Sequence, residues 1–318
     1  MISNTDRIMD SNPRVSVVVS ILNAEQFLAE TIESVFAQSL TSWELLLVDD
    51  GSDDASTTIA RGYLEKSPQN VRYFEHYKHR RRGQGASRNL AITNARGEFI
   101  ATLDHDDVWL PNKLEHQVAI MDSHPEVALV YGATQYWHSW AGGVTDAEPD
   151  YVEMPGVPPN RVYEPPVLLK LALSEQIVPP IPTDVMFRKE SICNLGGFEE
   201  SFIGLLSMYE DQAFLVKVFA DLPVYVSDEW WDRYRIHPDQ QCARVIRSGR
   251  KSDTEYFFLN WVSEYLSSRG ALDAEIKAIV LRRLWPHHHP LLCRLMQVGP
   301  AFAGKVKRIG TSLLHRRA

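Results

Sequence analysis

The chain has 318 residues, of which 44% are hydrophobic and 23% are charged, a balance typical of a globular protein with a sizeable core. This composition excludes disorder, collagen and coiled coil as descriptions of the whole. The formal net charge of −8 argues against nucleic acid as a partner. The three cysteines, Cys193, Cys242 and Cys293, are widely spaced and odd in number, which favours a reducing compartment over a disulfide framework.

The two ends of the chain differ from its body. Residues 1–12 form a polar segment without the apolar stretch of a signal peptide, and no run approaches the roughly 20 apolar residues of a membrane span. These features predict a cytoplasmic protein. Residues 276–318 contain nine Lys or Arg and no Asp or Glu. This basic segment is interpreted either as a peripheral contact with the inner membrane face or as a helical extension packed on the domain or on a second subunit.

Apolar runs and helical patterns alternate along the first third of the chain. We predict strands at 14–22, 43–48, 71–75 and 99–103, and helices at 23–38, 54–64 and 86–95. This alternation implies right-handed crossovers and a mostly parallel sheet with helices on both faces. In such sheets ligands bind beyond the carboxyl ends of the strands.

The pattern changes after Trp140. Residues 140–182 contain nine prolines, which predicts a long loop with one helix near Val167–Leu173; such loops often form lids or binding surfaces. Further on, we predict strands at 183–187 and 224–226, a helix at 210–220, and helices beyond Arg250. The predicted organisation is a polar segment at 1–12, a catalytic or binding domain at 13–245, and a helical, basic extension at 246–318.

The segment from Asp104 to Asp107 comes directly after a predicted strand and places three carboxylates within four residues. Such carboxylates repel one another unless a cation or backbone amides lie between them. A divalent cation is the economical explanation, and acids that stabilise a helix N-terminus are the alternative. An EF-hand loop is a poor explanation, because Trp109 occupies the sixth position where that turn requires Gly.

Four further residues are candidates for ligand binding or catalysis. Asp50 ends the second strand, where its carboxylate could bind a ligand or form a turn. Arg88 lies one turn into a helix that comes after Gly83 and Gly85, an arrangement suited to phosphate. Asp211 is next to Glu210 at a helix start and is either a general base or a stabiliser of the helix dipole. His237 is a candidate for the site only together with these other residues.

Taken together and in this order, these segments resemble an inverting family 2 glycosyltransferase of the GT-A fold. The resemblance covers roughly residues 13–241, and it implies an α/β, Rossmann-like domain with a mostly parallel central sheet flanked by helices. The segments that carry it are Val15–Leu28, Leu47–Asp53, Gly85–Asn89, Leu103–Pro111, Phe187–Glu190 with Gly196–Phe198, Tyr209–Asp211 and Tyr234–His237.

The resemblance implies a role for each matched residue. A nucleoside-diphosphate sugar would occupy the cleft, and Asp211 would accept the proton of an acceptor hydroxyl that attacks the anomeric carbon with inversion. Mn²⁺ or Mg²⁺ would bridge the diphosphate, held by Asp106, Asp107 and His237. The implied donor-binding residues are Asn23, Asp50 at the base, Asp104 at the ribose, Arg88 and His237 toward the diphosphate, Asp106 and Glu210.

The chain departs from the family pattern at several positions. Ile21 and Leu22 replace the usual Pro and Tyr before the Asn, and Ala91 replaces a frequent Gly. No Gln-x-x-Arg-Trp motif comes after Tyr234, so a processive membrane synthase is disfavoured. We expect single sugar transfers to a carbohydrate or lipid-linked acceptor, in cell-surface polysaccharide or glycolipid assembly.

The residues directly after the first strand bear on other classes of protein. A nucleotidyltransferase or a nicotinamide dehydrogenase requires a Gly-rich loop there, and residues 20–23, Ser-Ile-Leu-Asn, supply none. A non-catalytic relative that binds a nucleotide sugar or a partner stays open, although the joint presence of Asp104, Asp106 and Asp211 argues against it. The sequence leaves the sugar, the nucleotide and the acceptor undefined.

Overall fold

The structure is a computed structural model, and it describes residues 12–141, 149–290 and Leu292. The chain divides into two compact units, Met1–Thr254 and Glu255–Ala318. The first unit contains the sheet and all residues that resemble family motifs. Most of the basic segment 276–318 lies outside the described residues.

The strands of the described residues are β1 (Val15–Ile21), β2 (Trp43–Asp49), β3 (Val71–Glu75), β4 (Phe99–Thr102), β5 (Val108–Trp109), β6 (Leu129–Trp137), β7 (Tyr151–Glu153), β8 (Arg161–Tyr163), β9 (Met186–Arg188) and β10 (Val224–Arg235). The α-helices there are α1 (Leu28–Phe36), α2 (Ser56–Lys66), α3 (Gln84–Asn94), α4 (Lys113–Ser123), α5 (Val167–Leu173), α6 (Lys189–Asn194), α7 (Glu210–Asp221), α8 (Gln241–Arg247), α9 (Lys251–Ser268) and α10 (Ala274–His288). A 3-10 helix at Gly204–Tyr209 leads directly into α7.

The core of the first unit forms around β1 and β2, in which every residue is buried. Their nearly continuous β-branched and aliphatic sequences suit strands that are covered on both faces. Helix α1 buries Leu28, Ile32 and Val35 against this core, the spacing expected of a helix with one apolar stripe. The predicted strands and helices up to residue 103 are confirmed, with shifts of a few residues at their ends.

The sheet is mixed, with the order β3-β2-β1-β4-β9-β6-β10-β5. Strands β1 to β4 are parallel, as expected, whereas β9 pairs antiparallel with both β4 and β6. Strand β6 therefore runs in the same direction as β4, and β10 is parallel to β6. The carboxyl ends of β1, β2, β4 and β10 consequently meet at one edge of the sheet.

Several elements differ from the sequence expectations. The Pro-rich segment is not a single loop, because β7 pairs with β6 and β8 pairs with β10. Strand β10 is much longer than the predicted 224–226. Its pairing with β6 shifts register between Val226 and Trp230, so the polar residues Ser227 to Glu229 interrupt the apolar pattern without ending the strand.

Candidate active site

A cleft of about 1480 Å³ opens at the carboxyl edge of the sheet. Asn23 comes after β1, Asp50 after β2, Asp104 after β4 and His237 after β10, and all four side chains line this cleft. Asp211, at the first turn of α7, lines it as well. Typical small-molecule pockets measure about 300–1,000 Å³, so the cleft is larger than a usual pocket for one small ligand.

Asp50 is fixed by the loop that precedes α3. Its carboxylate accepts hydrogen bonds from the backbone amides of Arg82 (2.6 Å) and Gly83 (2.9 Å). Gly51 has a φ of +82°, and a Cβ there would lie 2.7 Å from the carbonyl oxygen of His79. Only glycine fits this close approach without strain. The buried carboxylate of Asp50 therefore holds the basic loop against the end of β2.

Asn23 joins the ends of β1 and β2. Its backbone has a φ of +51°, a left-handed conformation that Asn tolerates better than most residues. Its Oδ1 accepts a hydrogen bond from the Asp53 amide at 2.9 Å, and its own amide donates to Ser52 Oγ at 3.1 Å. The side-chain oxygen of Asn23 is thus occupied in organising the turn after β2.

The three carboxylates of the segment 104–107 have three different environments. Asp104 Oδ1 accepts a 2.7 Å hydrogen bond from Arg88. Asp107 is fully buried, and its oxygens accept hydrogen bonds from the Thr183 hydroxyl (2.5 Å) and the Arg235 amide (2.9 Å). Burial raises the pKa of Asp107 well above its usual value, and the charges of Asp106 and Asp104 raise it further. Asp107 is thereby bound to the protein interior, although the resemblance implies a metal ligand.

Asp106 and His237 face each other in the cleft. His237 Nε2 lies 2.9 Å from Asp106 Oδ2, and the imidazole packs against the Phe27 ring with 4.8 Å between ring centroids. Burial raises the pKa of Asp106, but His105 and His237 together outweigh it, so the pKa is lower than usual. Asp106 is therefore an anionic carboxylate at neutral pH.

The Asp106–His237 pair fits a hard divalent cation that is bound together with a substrate. In the ranges 12–141 and 149–290, no group of three or more His, Cys, Asp and Glu side chains could hold a metal by itself. Mg²⁺ and chemically similar ions are usually held by one or two protein groups together with waters and substrate phosphates. A carboxylate and an imidazole that converge in an accessible cleft match that requirement.

Arg88 lies between the two acidic sides of the cleft. Its guanidinium donates to Asp104 Oδ1 on one side and to Glu210 Oε2 on the other. The side chain is 2% exposed and its guanidinium carbon lies 5.2 Å from the centre of the Phe198 ring. The two carboxylates raise the pKa of Arg88 against the opposing effect of burial, so it is a permanent cation.

Asp211 has the electrostatic properties of a general base. Burial is the largest cause that raises its pKa to about 7, and the neighbouring Glu210 carboxylate contributes next. Its Oδ1 accepts a 2.7 Å hydrogen bond from the Gln212 amide. A carboxylate with a pKa near 7 is partly ionised at neutral pH, and it is a stronger base than an ordinary aspartate.

Two residues that organise the site are absent from the sequence-predicted set. Arg235 is buried, donates to the Asp106 carbonyl oxygen at 2.7 Å and to Glu30 at 2.6 Å, and lies over the rings of three aromatic residues; these are Phe27, Trp137 and Trp140. Thr183 bonds both Asp104 and Asp107. Arg235 belongs to the segment Tyr234–His237, which could have drawn attention to it, whereas Thr183 has no local signal.

Comparison with known proteins agrees with this geometry. The family description "Glycosyl transferase family 2" matches residues 16–149. The putative glycosyltransferase EpsE of Bacillus subtilis is 38% identical over 122 residues, which is 38% of this chain and 43% of that protein. Residues 16–149 belong to glycosyltransferase family 2. An uncharacterized glycosyltransferase of Rickettsia conorii extends the similarity to 73% of this chain at 27% identity, over 35% of its own length.

Solved structures extend the similarity in fold beyond the family 2 region. Residues 1–349 of S. aureus TarS match with a TM-score of 0.59 at 21% identity, over 87% of this chain and 72% of that one. The mannosyltransferase PcManGT from Pyrobaculum calidifontis, in complex with GDP-Man and Mn²⁺, matches with a TM-score of 0.59 at 19% identity, over 96% and 81%. The predicted family and GT-A fold are confirmed. This chain spans less than half the length of the curated relatives named above.

Proposed function

We propose that the chain is a metal-dependent, inverting glycosyltransferase that moves one sugar from a nucleoside-diphosphate sugar to a hydroxyl acceptor. One observation carries this proposal. Asp106 is distant in the sequence from both Asp211 and His237, yet all three side chains line one cleft. A site for a cation and a separate base are therefore available to the same substrate.

The donor is assigned to the side of the cleft formed by β1, β2 and β4. We assign Asp50 and Asn23 to binding of the base, and Asp104 to the ribose, whose hydroxyls would donate to its carboxylate. The basic loop with Arg81 and Arg82 lines the same side, which favours an anionic ligand. TarS has been solved in complex with UDP-GlcNAc and PcManGT in complex with GDP-Man, and we expect a uridine, guanosine or thymidine diphosphate donor here.

Asp106 and His237 would hold Mn²⁺ or Mg²⁺, and Asp107 would orient the segment beneath them through Thr183 and Arg235. When bound, the cation stabilises the negative charge that develops on the departing diphosphate. The chain itself supplies the fixed position of Asp106, because Arg235 holds its carbonyl oxygen and Phe27 packs against its imidazole partner.

Asp211 would accept the proton of the acceptor hydroxyl. As that oxygen attacks the anomeric carbon, the new glycosidic C–O bond forms while the bond from the anomeric carbon to the phosphate oxygen breaks. The proton passes to the Asp211 carboxylate, and the nucleoside diphosphate leaves with the bonding electron pair. A carboxylate placed for this transfer contributes about 10²–10⁴-fold to the rate, and one displacement inverts the anomeric configuration.

A thermal-shift panel of nucleotide sugars with and without Mn²⁺, together with donor hydrolysis and transfer assays, tests the proposal. We expect one donor to stabilise the protein only with the metal, and the same donor to be hydrolysed or transferred. Binding without any hydrolysis or transfer would favour a non-catalytic nucleotide-sugar-binding relative. Absence of binding by every donor would contradict both functions.

The acceptor and the location are part of the proposal. We assign the domain to residues 13–245 and the extension to 246–318, and we expect a cytoplasmic protein that contacts the inner membrane face, with a carbohydrate or lipid-linked acceptor in cell-surface polysaccharide or glycolipid assembly. Within the part of the chain that the structure describes, no helix has both the length and the hydropathy of a membrane span. Helix α10 exposes Leu281 (53%) and Trp285 (39%) on one face, in a sequence region rich in cations, and such faces suit anionic lipid surfaces.

Liposome flotation tests the membrane contact. The chain with Leu281→Gln and Trp285→Gln should bind vesicles of phosphatidylglycerol and phosphatidylcholine less than the unmodified chain. Val167→Gln is the control, because Val167 is also exposed (44%) but belongs to α5 in the first unit. Equal flotation of all three proteins would contradict the contact.

A further inference from the structure

Helix α3 touches both sides of the cleft. The loop before it binds Asp50 through the amides of Arg82 and Gly83. One turn later, Arg88 reaches Asp104 after β4 and Glu210 at the start of α7. A single short helix thus connects the proposed donor side with the helix that carries Asp211.

The chemistry of Arg88 suits a bridge between two carboxylates. A guanidinium presents several N–H donors in a rigid plane, whereas a lysine ammonium is a compact point charge on a flexible stem. Its two terminal nitrogens are used by Asp104 and Glu210, and its face lies against Phe198. An arginine bound in this way cannot also turn toward a diphosphate without leaving two carboxylates unpaired.

The packing around Glu210 indicates that this contact is specified by the sequence. Glu210 is 1% exposed, and its Oε1 has no hydrogen-bond partner among the described residues. Gly85 on α3 faces that atom, and a Cβ on Gly85 would lie 3.2 Å from it and 2.9 Å from the Glu199 carbonyl oxygen. The absence of a side chain at Gly85 therefore allows α3 and α7 to approach closely enough for Arg88 to reach Glu210.

We propose that Arg88 and Glu210 are positioning residues, which fix the first turn of α7 relative to Asp104 and so set the location of Asp211 opposite the donor. This inference rests on the proposed function and refines it, since the family resemblance assigns Arg88 and Glu210 to donor binding. In this arrangement Arg88 bonds to Asp104 and Glu210, and no step of the proposed reaction is assigned to either side chain. Their effect on the reaction passes through Asp211.

Glu210 also acts on Asp211 through its charge. After burial, the Glu210 carboxylate is the largest cause that raises the pKa of Asp211, with a smaller contribution from Asp104, and Arg88 opposes them. On the α8 side, the Cys242 thiol has its pKa raised to about 11, first by burial, so it is neutral near pH 7. Removal of the Glu210 charge therefore lowers the pKa of Asp211.

Two substitutions test the inference, each with a matched control at the opposite edge of the sheet. The first is Glu210→Gln, which removes the negative charge but keeps the size of the side chain. The second is Arg88→Lys, which keeps the positive charge but removes the planar guanidinium that reaches two carboxylates. Glu44 is also buried and bonded to an arginine, Arg72, at 3.1 Å, so Glu44→Gln and Arg72→Lys are the controls. The measurements are the ¹³C NMR titration of the Asp211 carboxyl, assigned with Asp211→Asn, the melting temperature, and the affinities for UDP-GlcNAc and GDP-mannose with Mn²⁺.

In Glu210→Gln, we expect the Asp211 carboxyl to titrate at lower pH than in the unmodified chain, and the acidic limb of kcat to move in the same direction. In Arg88→Lys, we expect kcat to fall by about 10²-fold, the cost of a displacement of about 1 Å at a reacting group, with donor affinity within about threefold. The two controls should lower the melting temperature without moving the Asp211 titration.

Two results would overturn the inference. The first is an unchanged Asp211 titration in Glu210→Gln, which would show that the Arg88–Glu210 contact has only a structural role. The second is a tenfold or greater loss of donor affinity in Arg88→Lys with kcat retained, which would show that Arg88 binds the diphosphate of the donor. The NMR titration requires no turnover, so it decides the inference even where the donor panel fails, whereas failure of that panel counts against the proposed function alone.

Discussion

The described part of the first unit contains two clusters of partly or fully buried acids, and they differ in their access to the cleft. The cleft cluster comprises Asp104, Asp106, Glu210 and Asp211 together with Arg88 and His237. The interior cluster comprises Lys113, Asp184 and Asp232, all 0% exposed. In both, burial is the largest cause that raises the pKa of carboxyl groups.

The interior cluster is held together mainly by contacts of Lys113 and Asp184. Lys113 donates to the Asp184 carbonyl oxygen at 2.5 Å and lies 3.8 Å from its carboxylate. The ammonium also lies 5.2 Å from the centre of the Trp109 ring, and Asp184 accepts a hydrogen bond from the Gly132 amide at 2.7 Å. A strongly shifted pKa is therefore shared by both clusters, and access to a ligand distinguishes the candidate site.

The largest effect is expected from Asp211→Asn. The amide cannot accept the acceptor proton, so transfer should fall by about 10²–10⁴-fold, measured as initial rates at pH 8 with the donor identified by thermal shift. Gln212→Ala is the neighbouring control and should stay within a few-fold of the unmodified chain. A rate for Asp211→Asn within tenfold of normal would assign the base elsewhere.

Lys113→Met should act on stability instead of chemistry. It leaves the Asp184 and Asp232 carboxyl groups without their cation, and breaking a buried pair in this way costs about 3–5 kcal/mol. Urea unfolding measures this loss. A changed pH dependence of kcat with unchanged stability would show that the interior cluster serves the cleft.

Asp106→Ala should remove the metal dependence of donor binding. The remaining imidazole of His237 is a weaker site for a hard cation than a carboxylate, so we expect at least a tenfold loss of donor affinity in Mn²⁺. Asp53→Ala is the control, since Asp53 lies on the same edge but its side chain is 79% exposed. Equal affinity of the two variants would exclude Asp106 from the metal site.

A further effect is a pH-dependent difference in melting temperature between Asp211→Asn and the unmodified chain. The folded-state pKa of Asp211 is raised from 3.8 to about 7, so its favourable contribution is complete below about pH 3.8 and is lost as the pH rises through 7. Asn has no such loss. The variant should therefore gain stability relative to the unmodified chain between about pH 4 and 7, with no further gain above. A constant difference across this range would contradict the raised pKa.

The first half of the sheet could be predicted because its signals are local. The strands β1, β2 and β4 are nearly continuous apolar runs with Asn or Asp at or just beyond their ends, and parallel connectivity places those ends at one edge. Helix α4 lacks such a signal, since Lys113 and Gln117 occupy its buried face, where a helix normally has apolar residues. Both side chains donate to the carbonyl oxygen of Asp184, which is about seventy residues away in sequence.

The roles of neighbouring acids could not be separated from sequence. Asp106 and Asp107 are adjacent, yet one faces His237 in the cleft and the other is bonded to Thr183 and Arg235 in the interior. Nothing in the local pattern distinguishes them, because the deciding partners come from the end of β10, from the residues just after it and from the segment before β9. The contact of Arg88 with Glu210 likewise joins residues 122 positions apart.

Calorimetric titration of Asp106→Ala and Asp211→Asn in parallel, with the donor in Mn²⁺, decides whether cation binding and proton acceptance are separate tasks within one cleft. We predict that Asp211→Asn binds the donor with an affinity close to normal while Asp106→Ala loses it. Loss of donor binding by Asp211→Asn, or its retention by Asp106→Ala, would contradict that division.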